Sequence, residues 1–334
     1  MKPSELKWFL PLALANRENV MLVGAPGVGK TQLSAEMVNQ AGFMSLFSHP
    51  VVAEPTDYKG FPFPFKKQGI AKFLPYANLA KMVFATAPLG VIIDDLGQAQ
   101  TSNQAAIQQL IEQREVDGQP ISKFVSFLLC TNSRMDKGAG VSHVLSTIMA
   151  RCTIIKFDVD AEDWIYGFAL PKAMPPALVS FIKLRPTMLF QEYKETHEMK
   201  NYPNPRNVAR VGRWQNLGVK PESEYEVFAG CAGEQFAAEY CAHLKMTRDM
   251  PNPEEYIKDP TKPLPEKQDV LYALCTALAY MADKKNAGNV YALAMRMHGE
   301  FGLYMVKMML KKNLDLAQAP GAVAWFEKNA DFLL

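Results

Sequence analysis

Apolar positions change pattern once along this chain. Short continuous apolar runs lie at 20–23, 43–47, 89–93, 124–130 and 153–157, with helical patterns between them. Unbroken apolar runs suit strands buried on both faces. Their alternation with helices predicts an α/β domain on a mostly parallel sheet. After Phe157 the strand-like runs stop. Residues 161–245 read as helices broken by Pro171, Pro175, Pro176, Pro186 and the turn from Pro203 to Pro205. Residues 247–268 hold Pro251, Pro253, Pro260, Pro263 and Pro265 among several charges, which predicts a surface linker. From 269 to 315 the pattern is helical again, with Leu271, Leu274, Leu278 and Met281 on one stripe. The expected organisation is an α/β domain over 1–157, a helical domain over 158–246, a Pro-rich linker over 247–268 and a helical C-terminal extension over 269–334.

One local unit is explicit. Thr101 with Gln104 three residues later predicts a capping box, and Ile107, Leu110 and Ile111 supply the buried face of the helix that follows. Glu115-Val116, Asp117-Gly118 and Ile121 then predict a short hairpin, because Asp-Gly accepts the two positive φ angles of a type I′ turn.

Between the first apolar run and the first following helix stand Gly24, Ala25, Pro26, Gly27, Val28, Gly29, Lys30 and Thr31, then Gln32. The octapeptide matches G-x-x-x-x-G-K-[ST] in the strand–loop–helix context the motif needs. Its glycines let backbone N–H groups turn inward around phosphate oxygens at the positive end of a helix. Lys30 is expected to reach the β- and γ-phosphates of ATP, and Thr31 to hold Mg²⁺. The run Val91-Ile92-Ile93 ends in Asp94 and Asp95. Asp94 fits the acid that holds the metal, and Asp95 stands where an acid polarises the attacking water. Asn132 follows the run at 124–130, placed either to orient water against the γ-phosphate or simply to start a turn. Arg151 precedes the last apolar run, where an arginine is by default a surface charge.

Composition narrows the class further. The 334 residues suffice for two or three domains, and 49% hydrophobic with 21% charged residues is ordinary for a globular chain. A net charge of +2 does not advertise nucleic-acid binding. Cys130, Cys152, Cys231, Cys241 and Cys275 are odd in number and irregular in spacing, which predicts reduced thiols and no zinc site. The five histidines, His143 among them, form no metal-ligand spacing. No apolar stretch approaches the ~20 residues that span a bilayer, so no membrane partner is expected and the cytoplasm is the expected compartment.

Taken in order, Gly24 to Thr31, Ile92-Ile93-Asp94-Asp95-Leu96, Thr131-Asn132, Ala150-Arg151-Cys152 and Asn204-Pro205-Arg206-Asn207 resemble AAA+ ATPases. More narrowly they resemble the MoxR-like branch, in the stand-alone form common in bacteriophage genomes. Asp57-Tyr58-Lys59-Gly60-Phe61-Pro62, Asp163-Trp164 and the string from Phe181 to Pro186 fall where that group has similar strings, so the resemblance covers most of the chain. It implies a P-loop NTPase three-layer fold followed by an α-helical lid, and homo-oligomeric rings, usually hexamers. It makes Asn132 sensor 1, Arg151 an arginine finger acting on the neighbour's γ-phosphate, and Arg206 sensor 2. It also implies a protein client, with a von Willebrand A-type partner. One departure is that Asp95 replaces the usual glutamate and is a methylene shorter.

The resulting expectation is a Mg·ATP-dependent, chaperone-like remodelling ATPase. A nucleic-acid motor or loader is a second reading, since the Ala-Arg-Cys string is also similar to clamp loaders. A nucleotide-gated scaffold with little turnover is a third, motivated by Asp95. Phe61-Pro62-Phe63-Pro64-Phe65, with Lys66 and Lys67 behind it, reads either as a rigid proline turn packed on the domain or as a pore-facing loop. Lys307, Lys311 and Lys312 read as the solvated face of an amphipathic helix.

Overall fold

The computed structural model describes residues 1–133, 144–192, 198–248 and 250–330. The chain forms two compact units, one of Met1–Val159 and one running from Asp160 through the C-terminal helices.

In chain order the first unit contains α1 (Pro3–Ala15), β1 (Val20–Gly24), α2 (Lys30–Gln40), β2 (Met44–Ser48), α3 (Thr56–Lys59), β3 (Phe61–Phe65), β4 (Ile70–Leu74), α4 (Ala77–Val83), β5 (Leu89–Ile93), α5 (Thr101–Gln113), β6 (Glu115–Val116), β7 (Gln119–Pro120), β8 (Val125–Asn132), α6 (Ser146–Met149) and β9 (Thr153–Lys156). Five strands make one sheet in the order β2-β5-β8-β1-β9, and every pairing in it is parallel. All five are the apolar runs of the sequence. Alternate side chains go to opposite faces. Met21, Val91, Ile93, Phe127 and Leu129 pack with Leu79 and Met82 of α4, Ile107, Leu110 and Ile111 of α5, and Ile148 of α6. The other face takes α1 and α2. Ser126 donates to Leu14 O of α1 at 2.7 Å, and a Cβ on Gly90 would lie 2.6 Å from Val38 of α2. The result is an α/β P-loop NTPase fold with a helical C-terminal region.

Two local expectations met different fates. The hairpin at β6 and β7 forms, with Asp117 at φ 49° and Gly118 at φ 79°. The capping box does not. Thr101 is the first helical residue, Gln100 is the cap without a side-chain bond, and the Gln104 amide instead donates to Ala99 O at 3.1 Å.

The second unit contains α7 (Ala161–Trp164), α8 (Pro176–Leu184), α9 (Pro205–Asn216), α10 (Glu224–Ala232), α11 (Glu234–Arg248), α12 (Pro253–Lys258), α13 (Gln268–Met281), α14 (Ala287–Arg296), α15 (Gly299–Lys312) and α16 (Ala322–Lys328). Phe181, Phe228, Phe236 and Tyr240 form an aromatic centre with ring separations of 5.1–5.8 Å. The stretch 247–268, expected as a linker, holds α12 and is tied down: Tyr256 is buried and donates to Pro263 O at 2.8 Å, and Asn289 donates to Ile257 O at 2.8 Å. On α15, Lys307 and Lys311 lie over the Tyr166 ring, and Lys307 pairs with Glu162 at 3.5 Å. No helix among the described residues is long and apolar enough to cross a membrane.

Candidate functional site

The strand order sets neighbouring strand ends side by side. Gly24 at the end of β1 is paired in register with Asn132 at the end of β8, and β5, carrying Asp94 just beyond its end, lies on the far side of β8. Carboxyl ends of adjacent parallel strands are where open α/β sheets bind ligands. The loop leaving Gly24 turns at Gly27 with φ 75° and at Gly29 with φ 104°, angles that a side chain strains to adopt. Gly29 caps α2, whose first-turn N–H groups have no intrahelical carbonyl to meet.

Four predicted residues meet at this loop. Lys30 is buried, and its Nζ donates to Gly24 O, Ala25 O and Asn132 Oδ1, each at 2.9 Å. The ammonium is therefore held inside the cradle by the loop's own carbonyls and by the end of β8. Thr31 Oγ1 donates to Asp94 Oδ1 at 2.8 Å. The donor set suits a hard cation. Two neighbouring oxygens of an octahedral Mg²⁺ shell, each about 2.0–2.1 Å from the ion, stand about 2.9 Å apart. The Thr31–Asp94 spacing fits that edge, so this pair would hold the metal.

Asp95 departs from the strand in a left-handed conformation, φ 54° and ψ 34°, and its N–H donates to Asp94 Oδ1 at 3.1 Å. The turn after it is pinned to β8, because Gly97 N–H donates to Thr131 Oγ1 at 3.1 Å. Behind the loop, Cys130 lies 3.5 Å from Ser34 Oγ, and burial pushes its thiol up to about 12, so it stays protonated.

Arg151 is not part of this cluster. Its Nη2 donates to Glu112 Oε1 at 2.5 Å and its Nη1 to Thr147 O at 2.7 Å. The Glu112 carboxylate raises the Arg151 pKa and is itself held below the usual carboxylate range. Arg206 belongs to the second unit. It is exposed in the first turn of α9, which Asn204 caps by accepting from Asn207 N–H at 3.0 Å. His143 lies outside the described residues.

Several features escaped the sequence. Glu112 carried no motif. Arg210 and Arg213 continue from Arg206 at helical spacing, beside the exposed Trp214, a periodicity that inspection of 204–216 could have found. Phe61–Phe65 is strand β3, paired antiparallel with β4, rather than a packed proline turn. Phe61 and Phe63 are 61% and 52% exposed, and Ile70 and Phe73 are exposed as well. The hairpin's two ends are clamped by the Asp57 string. Tyr76 donates to Asp57 Oδ1 at 2.6 Å, and a Cβ on Gly60 (φ 88°) would lie 2.7 Å from Leu74 O.

No protein-family model matches the chain, and no curated protein matches it. Among solved structures it is similar to the Thermotoga maritima RuvB Holliday junction branch migration motor, at 17% identity and a TM-score of 0.41 over 82% of this chain and 81% of that one. A point mutant of the same RuvB matches at 16% identity and a TM-score of 0.42, over 91% of this chain and 87% of that one. Likeness at this level carries no argument. The fold rests on this chain's own strand order and loop.

Proposed function

We propose that the chain is an AAA+ ATPase of the MoxR-like type, which binds Mg·ATP between subunits of a ring and uses hydrolysis to remodel a protein partner. The observation that carries the reading is the meeting of Lys30, Thr31, Asp94 and Asn132 at one glycine loop, through the bonds Lys30–Asn132 and Thr31–Asp94.

The residues take the following roles. The N–H groups from Gly27 to Thr31 and the Lys30 ammonium bind the phosphates. Lys30 gives up its loop carbonyls to do so, and Asn132 is left to orient water. Mg²⁺ held by Thr31 and Asp94 would supply neutralising charge for the phosphates. Asp95 accepts the proton of the attacking water. Arg151, from the adjacent subunit, neutralises charge on the transferring phosphoryl group, an effect worth ~10³–10⁵ in rate. Arg206 senses nucleotide through the helical unit. The hairpin of β3 and β4 offers its exposed phenylalanines to the client.

The test is Mg·ATP hydrolysis per subunit across a wide range of protein concentration, beside Arg151→Ala. A shared site predicts activity that falls on dilution and is lost in the variant, while nucleotide affinity persists. Activity independent of concentration, with a fully active variant, overturns it. A second reading, a nucleic-acid motor, is favoured by one observation: Lys66, Lys67 and Lys72 lie on the hairpin with the exposed aromatics, a composition suited to phosphates and stacked bases. ATPase stimulated by single-stranded DNA with a steep salt dependence would select it.

A further inference from the structure

The polar face of α5 is organised around Arg151. Gln104, Gln108 and Glu112 recur at intervals of four residues and share one face, while Ile107, Leu110 and Ile111 face the core. Each of the three holds a different point of the segment 145–151. Gln104 Oε1 accepts from Leu145 N–H at 3.0 Å, Gln108 Oε1 accepts from Thr147 Oγ1 at 2.7 Å, and Glu112 Oε1 accepts from Arg151 Nη2 at 2.5 Å. The rungs are braced. Arg151 Nη1 returns to Thr147 O at 2.7 Å, and Asn19 Nδ2 donates to Arg151 O at 3.3 Å. At its other end the ladder is anchored to the turn after Asp95 by Gln104 Nε2 and Ala99 O, 3.1 Å apart.

We propose that the ladder of Gln104, Gln108 and Glu112 positions Arg151 for the neighbouring subunit's nucleotide, with Glu112 as the positioning residue that fixes the guanidinium plane. The inference rests on the shared-site reading above. Arginine carries large rotamer freedom, and an arginine that must meet a phosphate across an interface loses rate for every degree of freedom left open. Two of its five N–H groups are spent on Thr147 and Glu112, and each terminal nitrogen keeps one more for a ligand. Exposed ion pairs add little to stability. With side chains 30% and 44% exposed, this pair is better suited to orienting Arg151 than to holding the fold.

The experiment uses the full chain at a concentration where the wild type is fully active. It compares kcat, KM, affinity for a non-hydrolysable ATP analogue and melting temperature for Glu112→Ala, Glu112→Gln, Gln108→Ala and Arg151→Ala. Glu112→Ala is expected to lower kcat about tenfold to a hundredfold, the scale of a misplaced group, with analogue affinity unchanged. Glu112→Gln retains an oxygen for Nη2 and is expected to recover most of that loss, which a charge requirement alone would not allow. Gln108→Ala should show a smaller fall in kcat, and it decides the matter if Glu112→Ala does not fold. Wild-type or raised kcat in Glu112→Ala, or equal losses in Glu112→Ala and Glu112→Gln, overturns the ladder alone provided Arg151→Ala is inactive. A fully active Arg151→Ala overturns the shared site and the ladder with it.

Discussion

In the proposed mechanism Asp95 concentrates the chemistry of the site in one backbone angle, φ 54°. A left-handed conformation costs a non-glycine residue on the order of 1–3 kcal/mol, and Asp and Asn tolerate it better than most. The strain is held by the neighbours: Asp95 N–H is fixed on Asp94, and Gln98 N–H donates to Asp95 O at 2.9 Å. The turn redirects the chain as it leaves β5, so the reach of this short acid is set by the backbone as well as by side-chain length. Asp95→Asn preserves shape and backbone preference and removes only the ability to accept a proton. It should leave ATP affinity unchanged and lower single-turnover hydrolysis by ~10²–10⁴-fold, the range for loss of a general base. Unchanged hydrolysis would remove Asp95 from the mechanism. Asp95→Val keeps neither the charge nor the tolerance for φ 54°, and should also lower the melting temperature.

At the scale of elements, legibility followed burial. The central strands β1, β5 and β8 could be read because they are buried along nearly their whole length and so are unbroken apolar runs. The edge strands β2 and β9 were readable from apolar residues that the fold leaves partly exposed, Met44, Phe47 and Ile154 among them. The grouping of the glycine loop with Asp94 and Asn132 was readable because all of them stand at the ends of neighbouring strands, and the phosphate-binding role stays a proposal. The β3–β4 hairpin was not readable. Pro62 and Pro64 look like turn residues, yet in a two-stranded ribbon both strands are edges, where a missing N–H costs nothing. The α5 ladder escaped because its residues are polar, and only the fold brings 145–151 onto that face. The hairpin carries a prediction. Its phenylalanines are exposed, so replacing Phe61 and Phe63 by Ser should change stability by no more than about 0.5 kcal/mol. Basal ATPase should remain at the wild-type level while action on the client, or stimulation by single-stranded DNA, is lost. A large drop in melting temperature would mean that the two rings are structural after all.

The whole molecule holds two separate cores, so its unfolding is not expected to be one transition. A titrating group inside one core then gives that unit a pH dependence of its own. His243 in the helical unit is 3% exposed, with its Nε2 3.0 Å from Ser180 Oγ and its ring packed against Phe181 and Tyr240 at 5.5 and 6.4 Å between centroids. Burial lowers its pKa below 6.5, and Arg185 adds to that while Asp269 opposes it. Above the unfolded value both states are neutral and the histidine has no effect on stability. As pH falls below about 6.5 the unfolded chain takes a proton that the folded core refuses, so stability falls until the lowered folded pKa is reached. Glu162 in the same unit acts lower down: Lys183 holds its pKa below 4.5, and its contribution fades only beneath that value. Among the described residues, His243 is the histidine with a lowered pKa in the window between the two. Trp164, Trp214 and Trp325 lie in this unit and only Trp8 in the other, so tryptophan fluorescence reports mainly on it. Denaturation followed by that signal should show a lower midpoint at about pH 5.5 than at about pH 7.5, and His243→Gln should remove most of the difference. An equal pH dependence in the variant would place the titrating group elsewhere.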